Sequence, residues 1–284
     1  MSRRKTRSVK DILASAAIHL NLVLVLLIVL FPIAWILGTS LSPTSSVDAT
    51  SLIPDEPTLK NFEELFSKTK FTTWYKNTLI IALLSMALTV LVHSFTAFMF
   101  ARFKFRGQKP LLFSIMLFQM FPSFLGLTAL YVICLTFGLL NNIYTLVIIY
   151  VASGIPGNIW LVRGFMLNIP RSLDEAAYID GASKVKVFFQ IIIPLATPIV
   201  AFMAITSFMG PWFDFLLPRM LLSSNDQRTI ALGLYELVDP MSTQYNFPRF
   251  AAASLLIALP IAALQMVFQR FLVTGLMSGA NKGE

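Results

Sequence analysis

The sequence predicts an all-α membrane protein built from six transmembrane helices. Hydrophobic residues make up 56% of its 284 residues, charged residues only 13%, and the mean hydropathy is +0.74. A water-soluble domain does not need so much apolar surface, whereas a membrane-spanning helix takes about 20 mostly apolar residues. Six stretches of this kind occur in the chain, at residues 12–37, 74–101, 111–137, 144–162, 195–217 and 250–274.

Positively charged residues predict which loops face the cytoplasm. They cluster in a basic tail at 1–11, after the second stretch, and in a segment between the fourth and fifth stretches. The loops at 38–73 and 218–249 are more evenly charged, with five acids against three lysines in the first, so both are expected outside the cell. Six spans then place both termini in the cytoplasm, including a carboxyl tail at 278–284, on either side of a transmembrane domain at 12–277.

The charged segment at 169–194 carries the signals of a short helix. Ser172 followed three residues later by Glu175 has the spacing of a capping box, which predicts that a helix starts there. Gly181 is expected to end it, since glycine alone adopts a positive φ without a steric cost. These signals also occur in any ordinary short helix, so they do not by themselves indicate a function.

The predicted helix is too small to bury itself. Its apolar stripe consists only of Leu173, Ala176 and Ala177. Its charged surface consists of Asp174, Glu175 and Asp180. We expect it to stand out from the membrane domain as a docking helix. Ser183 is expected to cap a second helix, which Pro194 and Pro198 bend or interrupt.

The spacing within this segment resembles the E-A-A-x3-G-x9-I-x-L-P signature of ABC importer permeases. The matching residues are Glu175, Ala176, Ala177, Gly181, Ile191 and Pro194, while Ile193 stands where leucine is usual. In that family the segment is the coupling helix between spans four and five, which docks in a cleft of a cytoplasmic ATPase and transmits nucleotide-driven closure to the spans. The resemblance implies a docking core of Glu175, Ala176, Ala177 and Gly181, with Asp180 beside it.

A second motif lies at the end of the second stretch. It resembles the A-Y-x-x-A-R…F-x-G stretch of sugar-importer permeases. The matching residues are 97–102, Ala-Phe-Met-Phe-Ala-Arg, together with Phe105 and Gly107. Phe98 stands where tyrosine is usual. Span order and loop lengths over nearly the whole chain are most similar to those of maltose and maltodextrin permeases.

This resemblance implies the membrane subunit of an ATP-driven importer in the cell membrane that moves an oligosaccharide, most similar to the maltose and maltodextrin systems. The implied partners are two cytoplasmic ATPase subunits, a second and different permease subunit, and an extracellular solute-binding protein. ATP and Mg would be bound by the ATPase, and no cofactor by this chain.

Enzyme motifs are missing from the sequence. It has no G-x-x-x-x-G-K-[ST] loop to hold phosphates, no H-E-x-x-H, no G-x-S-x-G, and a single cysteine, Cys134. We therefore expect no catalytic residue and no metal site. The net charge of +8 lies mainly in loops expected to face the cytoplasm, which indicates a membrane rather than a nucleic-acid partner.

The candidates for the substrate path are Trp212, Phe213 and Asp214, at the end of the fifth stretch. A carboxylate associated with a span is costly and therefore a candidate for function. Aromatic rings stack on the apolar faces of sugars, and carboxylates accept hydrogen bonds from sugar hydroxyls. The alternative is that Asp214, near the outer end, simply reaches water.

Polar and helix-loosening residues also occur in other stretches. Pro122 can open a cavity in the third stretch or form a passive kink there, and both interpretations stay open. Small residues at 153–158 permit close helix contact, so packing is their expected role. His93 is expected to be a hydrogen-bonded packing residue.

Alternative functions remain at this stage. The same kind of importer can serve glycerol phosphate or a different sugar, although a phosphate would favour cations within the spans and none is evident. A membrane enzyme would need titratable groups at one depth, whereas His19, His93 and Asp214 lie in three different stretches. A non-transporting scaffold would leave the helix around Glu175 without an ATPase to bind.

Overall fold

The structure is a computed structural model. It describes residues 9–43, 52–120 and 122–280, including all their side chains except those of 9–12, 123 and 270–280. Within these ranges the chain is helical and contains no strand, which agrees with the predicted all-α class. Three predicted segments lie partly outside the described residues. These parts are 1–8 of the basic tail, 44–51 of the first outer loop and 281–284 of the carboxyl tail.

The helices follow one another closely along the chain. They are α1 (Val9–Ser40), α2 (Lys60–Lys68), α3 (Phe71–Arg102), α4 (Gln108–Met120), α5 (Leu127–Thr136), α6 (Ile143–Leu167), α7 (Arg171–Ile179), α8 (Lys184–Val187), α9 (Ile193–Leu195), α10 (Thr197–Phe213), α11 (Leu216–Leu221), α12 (Ile230–Val238) and α13 (Phe247–Ala280). A 3₁₀ turn at Ser123–Gly126 precedes α5, and a π-helical turn at Phe188–Ile192 joins α8 to α9.

Four helical segments in the described part of the chain are long and apolar enough to cross a membrane. They are Leu13–Ser40, Phe71–Arg102, Ile143–Leu167 and Phe247–Gln269. The third predicted span is instead a bent pair, in which α4 meets Phe124–Thr136 at 89°. In the second bent pair, Lys184–Leu195, which lies before the predicted fifth span, meets α10 at 84°. The count reaches the predicted six only if each bent pair is one span.

A proline stands at each bend, and proline lacks the backbone N–H with which a residue continues a helix. Pro122 precedes the 3₁₀ turn with an extended ψ of 121°. At the second bend Ala196 leaves helical geometry with a ψ of 6°, and Pro198 stands in the first turn of α10. The predicted interruption of the helix after Ser183 is thus confirmed.

The described chain forms two compact units, the smaller of which comprises residues 9–43, 52–69 and 236–256. In this unit the Asn61 side chain donates hydrogen bonds to the carbonyl oxygens of Ser40 and Ser42, at 3.0 and 2.7 Å. The carboxylate of Glu64 pairs with Arg249 at 2.5 Å. These contacts fasten α2 to the end of α1 and to the start of α13.

The larger unit comprises residues 70–235 and 257–280. Its α3 packs along α6 and α10. One apolar cluster fills the space near the C-terminal end of α3, and it includes Phe98, Met166, Phe188 and Met203. Another, which includes Ile81, Leu146 and Leu222, lies toward the N-terminal end of α3.

Candidate functional site

The predicted docking helix is α7, whose nine residues run from Arg171 to Ile179. Its start differs from the prediction. Pro170 is the N-cap residue and no side chain caps the helix, so the capping box of Ser172 and Glu175 is wrong. The extended ψ of Pro170, 132°, sets the entry into the helix, which places Ser172 inside the first turn rather than in front of it.

The predicted end of α7 is confirmed. Gly181 has a φ of +79°. Its N–H donates to the carbonyl oxygen of Tyr178 at 3.1 Å, and the N–H of Ala182 donates to that of Ala177 at 2.9 Å. This pair of bonds is the Schellman motif. Ser183 then caps α8, as predicted, by accepting a hydrogen bond from the N–H of Lys186.

Most of α7 faces outward. The predicted docking residues Glu175, Ala176, Asp180 and Gly181 are exposed, and Ala177 is half-buried. Ile179 is 86% exposed, more than any other large apolar side chain of the described residues except Met241. Further along the segment, Ile191 is half-buried within the π-helical turn and Pro194 is exposed.

Asp174 does not belong to the charged surface, so that part of the prediction is wrong. It is the one buried residue of α7. Its Oδ2 lies 2.6 Å from Nε of Arg102, and the two side chains are only 7% and 3% exposed. Burial raises the pKa of the Asp174 carboxyl, and the guanidinium groups of Arg102 and Arg171 counteract part of that rise.

Three arginines near the end of α3 bind backbone carbonyl oxygens, two of them on α3 itself. Arg102 Nη2 donates to the carbonyl oxygen of Ile169 at 3.0 Å, and Arg171 Nη2 donates to that of Ala101 at 3.4 Å. Arg163 Nε donates to the carbonyl oxygen of Phe100 at 3.2 Å. The last carbonyls of a helix have no partners within it, and cations there interact favourably with the helix dipole. The sequence motif singled out Arg102, but it gave no indication of its partner.

Aromatic contacts join α3 to the segment that follows α7. The ring of Phe188 lies 5.2 Å from that of Phe98 and 5.4 Å from that of Phe95. Lys184 Nζ lies 4.8 Å from the ring centre of Phe103. The predicted coupling segment is therefore attached to α3 by ionic and aromatic contacts together.

A cavity of about 240 Å³ lies between α3, α6 and α10. Its lining consists of Ser85, Thr89, Tyr150, Ser153, Gly154, Asn158, Thr206, Ser207, Gly210 and Pro211. Seven of these ten residues carry a hydroxyl or an amide group, and no charged side chain belongs to the lining. The patch at 153–158, for which packing is the expected role, therefore supplies one wall of this cavity through Ser153, Gly154 and Asn158.

The three substrate-path candidates lie in different surroundings. Asp214 follows α10, and its Oδ2 accepts a hydrogen bond from the hydroxyl of Tyr150, a cavity residue, at 2.8 Å. Trp212 is buried, with its ring 5.3 Å from that of Tyr75. Phe213 is 67% exposed. Only Asp214 contacts a residue of the cavity lining through a hydrogen bond.

His93 is fully buried and hydrogen-bonded, as expected for a packing residue. Its Nε2 lies 2.9 Å from the carbonyl oxygen of Val151, and its Nδ1 lies 3.0 Å from the amide nitrogen of Asn158. The ring therefore donates through Nε2 and accepts through Nδ1. Among the described residues, no group of three or more His, Cys, Asp or Glu side chains is placed to hold a metal ion.

Comparison with known sequences shows one family. Residues 93–277 match the family described as "Binding-protein-dependent transport system inner membrane component". The chain is 39% identical over 269 residues to the galactooligosaccharides transport system permease protein GanQ of Bacillus subtilis, covering 93% of this chain and 94% of that one. It is 40% identical over 226 residues to the maltodextrin transport system permease protein MdxG of the same organism, covering 80% and 81%.

A further relative is the maltose/maltodextrin transport system permease protein MalG of Vibrio parahaemolyticus, 34% identical over 286 residues and covering 94% of this chain and 95% of the relative. Among solved structures, a chain of a bacterial ABC transporter involved in the import of alginate has the same fold. The TM-score is 0.79 at 21% identity, with 93% of this chain and 98% of that chain covered.

Proposed function

We infer that this chain, which belongs to the family of binding-protein-dependent transport system inner membrane components, is a permease subunit of an ATP-driven importer that moves an oligosaccharide into the cell. It is a multi-pass protein of the cell membrane. Its relatives are named for maltodextrin, maltose and galactooligosaccharide transport. Maltose or maltodextrin is the leading substrate, and a galactooligosaccharide is the alternative.

The observation that carries this proposal is the exposed helix α7, with its apolar tip and its fixed end at Gly181. A short helix that leaves Ile179 uncovered is suited to dock in a cleft of another protein. We assign Glu175, Ala176, Ala177, Asp180 and Gly181 to that docking surface. Ile191 and Pro194 belong to the bent segment that connects it to α10.

The proposed assembly contains two cytoplasmic ATPase subunits, which bind ATP and Mg, a second permease subunit and an extracellular solute-binding protein. ATP hydrolysis belongs to the ATPases, and this chain supplies no catalytic residue. Nucleotide-driven closure of the ATPases moves α7, and the paired permeases alternate between outward-open and inward-open states. Both termini of this chain face the cytoplasm in this arrangement.

The uncharged, hydroxyl-bearing cavity supports a neutral, hydroxyl-rich solute. Its lining residues can exchange hydrogen bonds with sugar hydroxyls, and Tyr150 adds an aromatic face. Asp214 orients the Tyr150 hydroxyl and so belongs to the substrate path, with Trp212 and Phe213 as neighbours on the same chain segment. A phosphate ester such as glycerol phosphate is disfavoured, since the lining offers no cation.

Reconstitution tests the transport proposal. The chain would be purified together with its ATPase and second permease, placed in lipid vesicles, and supplied with the solute-binding protein and ATP. We expect uptake of labelled maltodextrin that depends on ATP, with a galactooligosaccharide and glycerol phosphate as competing solutes. Uptake of none of them by an intact complex would contradict the proposed function.

A pull-down from membranes tests the docking surface against the scaffold hypothesis. The Glu175→Lys variant reverses an exposed charge on α7 and should lose the ATPase while still retaining the second permease. Glu63→Lys makes the same change at an exposed position of α2 and should retain both. Failure of the unmodified chain to retain any ATPase would favour a scaffold.

A further inference from the structure

We propose that the buried pair of Arg102 and Asp174 is the joint through which α7 moves α3, so that both are positioning residues of the transport cycle. This inference rests on the proposed function, because it assumes that an ATPase moves α7. It assigns a role to two residues outside the docking surface and outside the cavity.

The first step is that α7 has few attachments. Of its nine residues only Asp174 is buried, while Ala177 packs partly against the neighbouring apolar cluster. Arg171 adds a longer hydrogen bond of 3.4 Å to the carbonyl oxygen of Ala101. The ionic contact of Asp174 at 2.6 Å is the shortest of these polar links, and the attraction between two buried charges is screened much less than that between exposed ones.

The second step concerns the shape of the pair, which leaves room for movement. Three buried atoms of the pair have no hydrogen-bond partner among the described residues: Nε and Nη1 of Arg102 and Oδ1 of Asp174. The pair is thus an ionic contact without hydrogen-bond geometry. Both side chains line a cleft of about 110 Å³, together with Phe103, Arg171, Glu175 and Tyr178. A contact through one atom of each group can convert to a two-point fork without either charge leaving its site. The joint can therefore pivot and stay paired.

The third step is that α3 connects this joint to the cavity. The helix runs from Phe71 to Arg102 without an interruption, and Ser85 and Thr89 on it line the cavity. Thr89 lies about 20 Å along the helix axis from Arg102, from the rise per residue. A shift of the Arg102 end therefore tilts one wall of the cavity as a rigid body.

The test uses the complete complex in lipid vesicles and measures sugar taken up per ATP hydrolysed. The double variant Arg102→Met with Asp174→Leu fills the site with apolar groups, which avoids an unpaired buried charge. Arg102→Lys keeps the charge but loses the planar fork. Arg163→Met is the matched control, because Arg163 also binds a carbonyl at the end of α3 but has no contact with Asp174.

We expect the double variant to retain the ATPase and to hydrolyse ATP, but to take up about tenfold less sugar per ATP. Arg102→Lys should show a smaller loss in the same ratio, and Arg163→Met none. An unchanged ratio in both the double variant and Arg102→Lys would overturn the inference. So would a loss of ATPase binding in both, since the pair would then only hold α7 in place.

The proposed function is judged separately by the unmodified complex. If that complex takes up no sugar, the proposed function fails, and this inference fails with it. If the unmodified complex transports and the variants transport equally well per ATP, only the joint is wrong.

Discussion

The hydroxyl of Tyr150 donates a hydrogen bond of 2.8 Å to the carboxylate of Asp214 and thereby joins α6 to the residue that ends α10. The same carboxylate accepts a second bond, at 3.3 Å, from the N–H of Leu217 at the start of α11. Asp214 thus holds the ends of two helices beside a residue of the cavity wall.

Tyr150→Phe should raise KM for the sugar about fivefold, because the sugar loses its hydrogen bond with the Tyr150 hydroxyl and one hydrogen bond contributes about 1 kcal/mol. The basal rate of ATP hydrolysis should stay unchanged, because the docking surface is untouched. The measurement is uptake as a function of sugar concentration in vesicles. Tyr144→Phe, at an exposed position of the same helix, is the control. Equal KM values for both variants would remove Tyr150 from the substrate path.

Gly154→Ala should destabilise the chain, because the added Cβ would lie 3.0 Å from Cε1 of His93 and 3.1 Å from Nδ2 of Asn158. Displacing either group breaks their hydrogen bond and leaves a buried nitrogen unpaired, at a cost of about 1–3 kcal/mol. Thermal unfolding in detergent measures the loss.

Gly157→Ala is the matched control for that change. Its added Cβ would lie 3.7 Å from Nε2 of Gln119, which is an ordinary contact. We expect an unfolding temperature close to that of the unmodified chain. A loss of stability as large as that of Gly154→Ala would show that any added methyl group disturbs this part of α6.

Gly181→Ala should weaken the turn behind α7 by about 1 kcal/mol or more, because a Cβ is strained at positive φ. The φ of +79° is needed for both hydrogen bonds that end the helix. Transport per ATP should fall, since the docking residues lose their fixed position. Gly164→Ala, with open space around its added Cβ and no positive φ, should transport normally. Normal transport by Gly181→Ala would contradict a need for the turn.

Acid should weaken the contact that fastens α2 to α13. Hydrogen bonds from Lys68 and Arg249 hold the pKa of Glu64 below its usual 4.5. The charged form therefore stabilises the fold above pH 4.5, and this contribution is lost as the pH falls from 4.5 through the lowered pKa. The unfolding temperature should drop more steeply across that window in the unmodified chain than in Glu64→Gln.

The neighbouring variant Glu63→Gln provides the comparison, since Glu63 is exposed on the same helix. It should follow the pH dependence of the unmodified chain. Identical curves for Glu64→Gln and the unmodified chain would mean that the ion pair contributes nothing measurable.

Much of the fold follows from local patterns in the sequence. The long apolar stretches became α1, α3, α6 and α13 because such a helix satisfies its own backbone and needs no distant partner for that. The end of α7 could also be predicted from neighbouring residues, since a glycine with positive φ determines both hydrogen bonds there.

The predictions that failed involved contacts between residues far apart in the sequence, or two local sequence signals that favour different helix starts. Asp174 has the composition of a surface residue, and nothing near it in the chain reveals that Arg102 buries it. The capping box failed because Pro170 sets the entry of the helix two residues earlier than the pattern requires. The cavity depends on how α3, α6 and α10 meet, which the spacing of small residues at 153–158 did not specify.

The uncharged lining of the cavity also has an electrical consequence. A neutral sugar that passes between such side chains carries no charge across the bilayer, so the membrane voltage does no work on it; one elementary charge would gain or lose about 2.3 kcal/mol per 100 mV. Accumulation of sugar would then depend on the free energy of ATP alone, and uptake would continue undiminished in a cell whose membrane is depolarised.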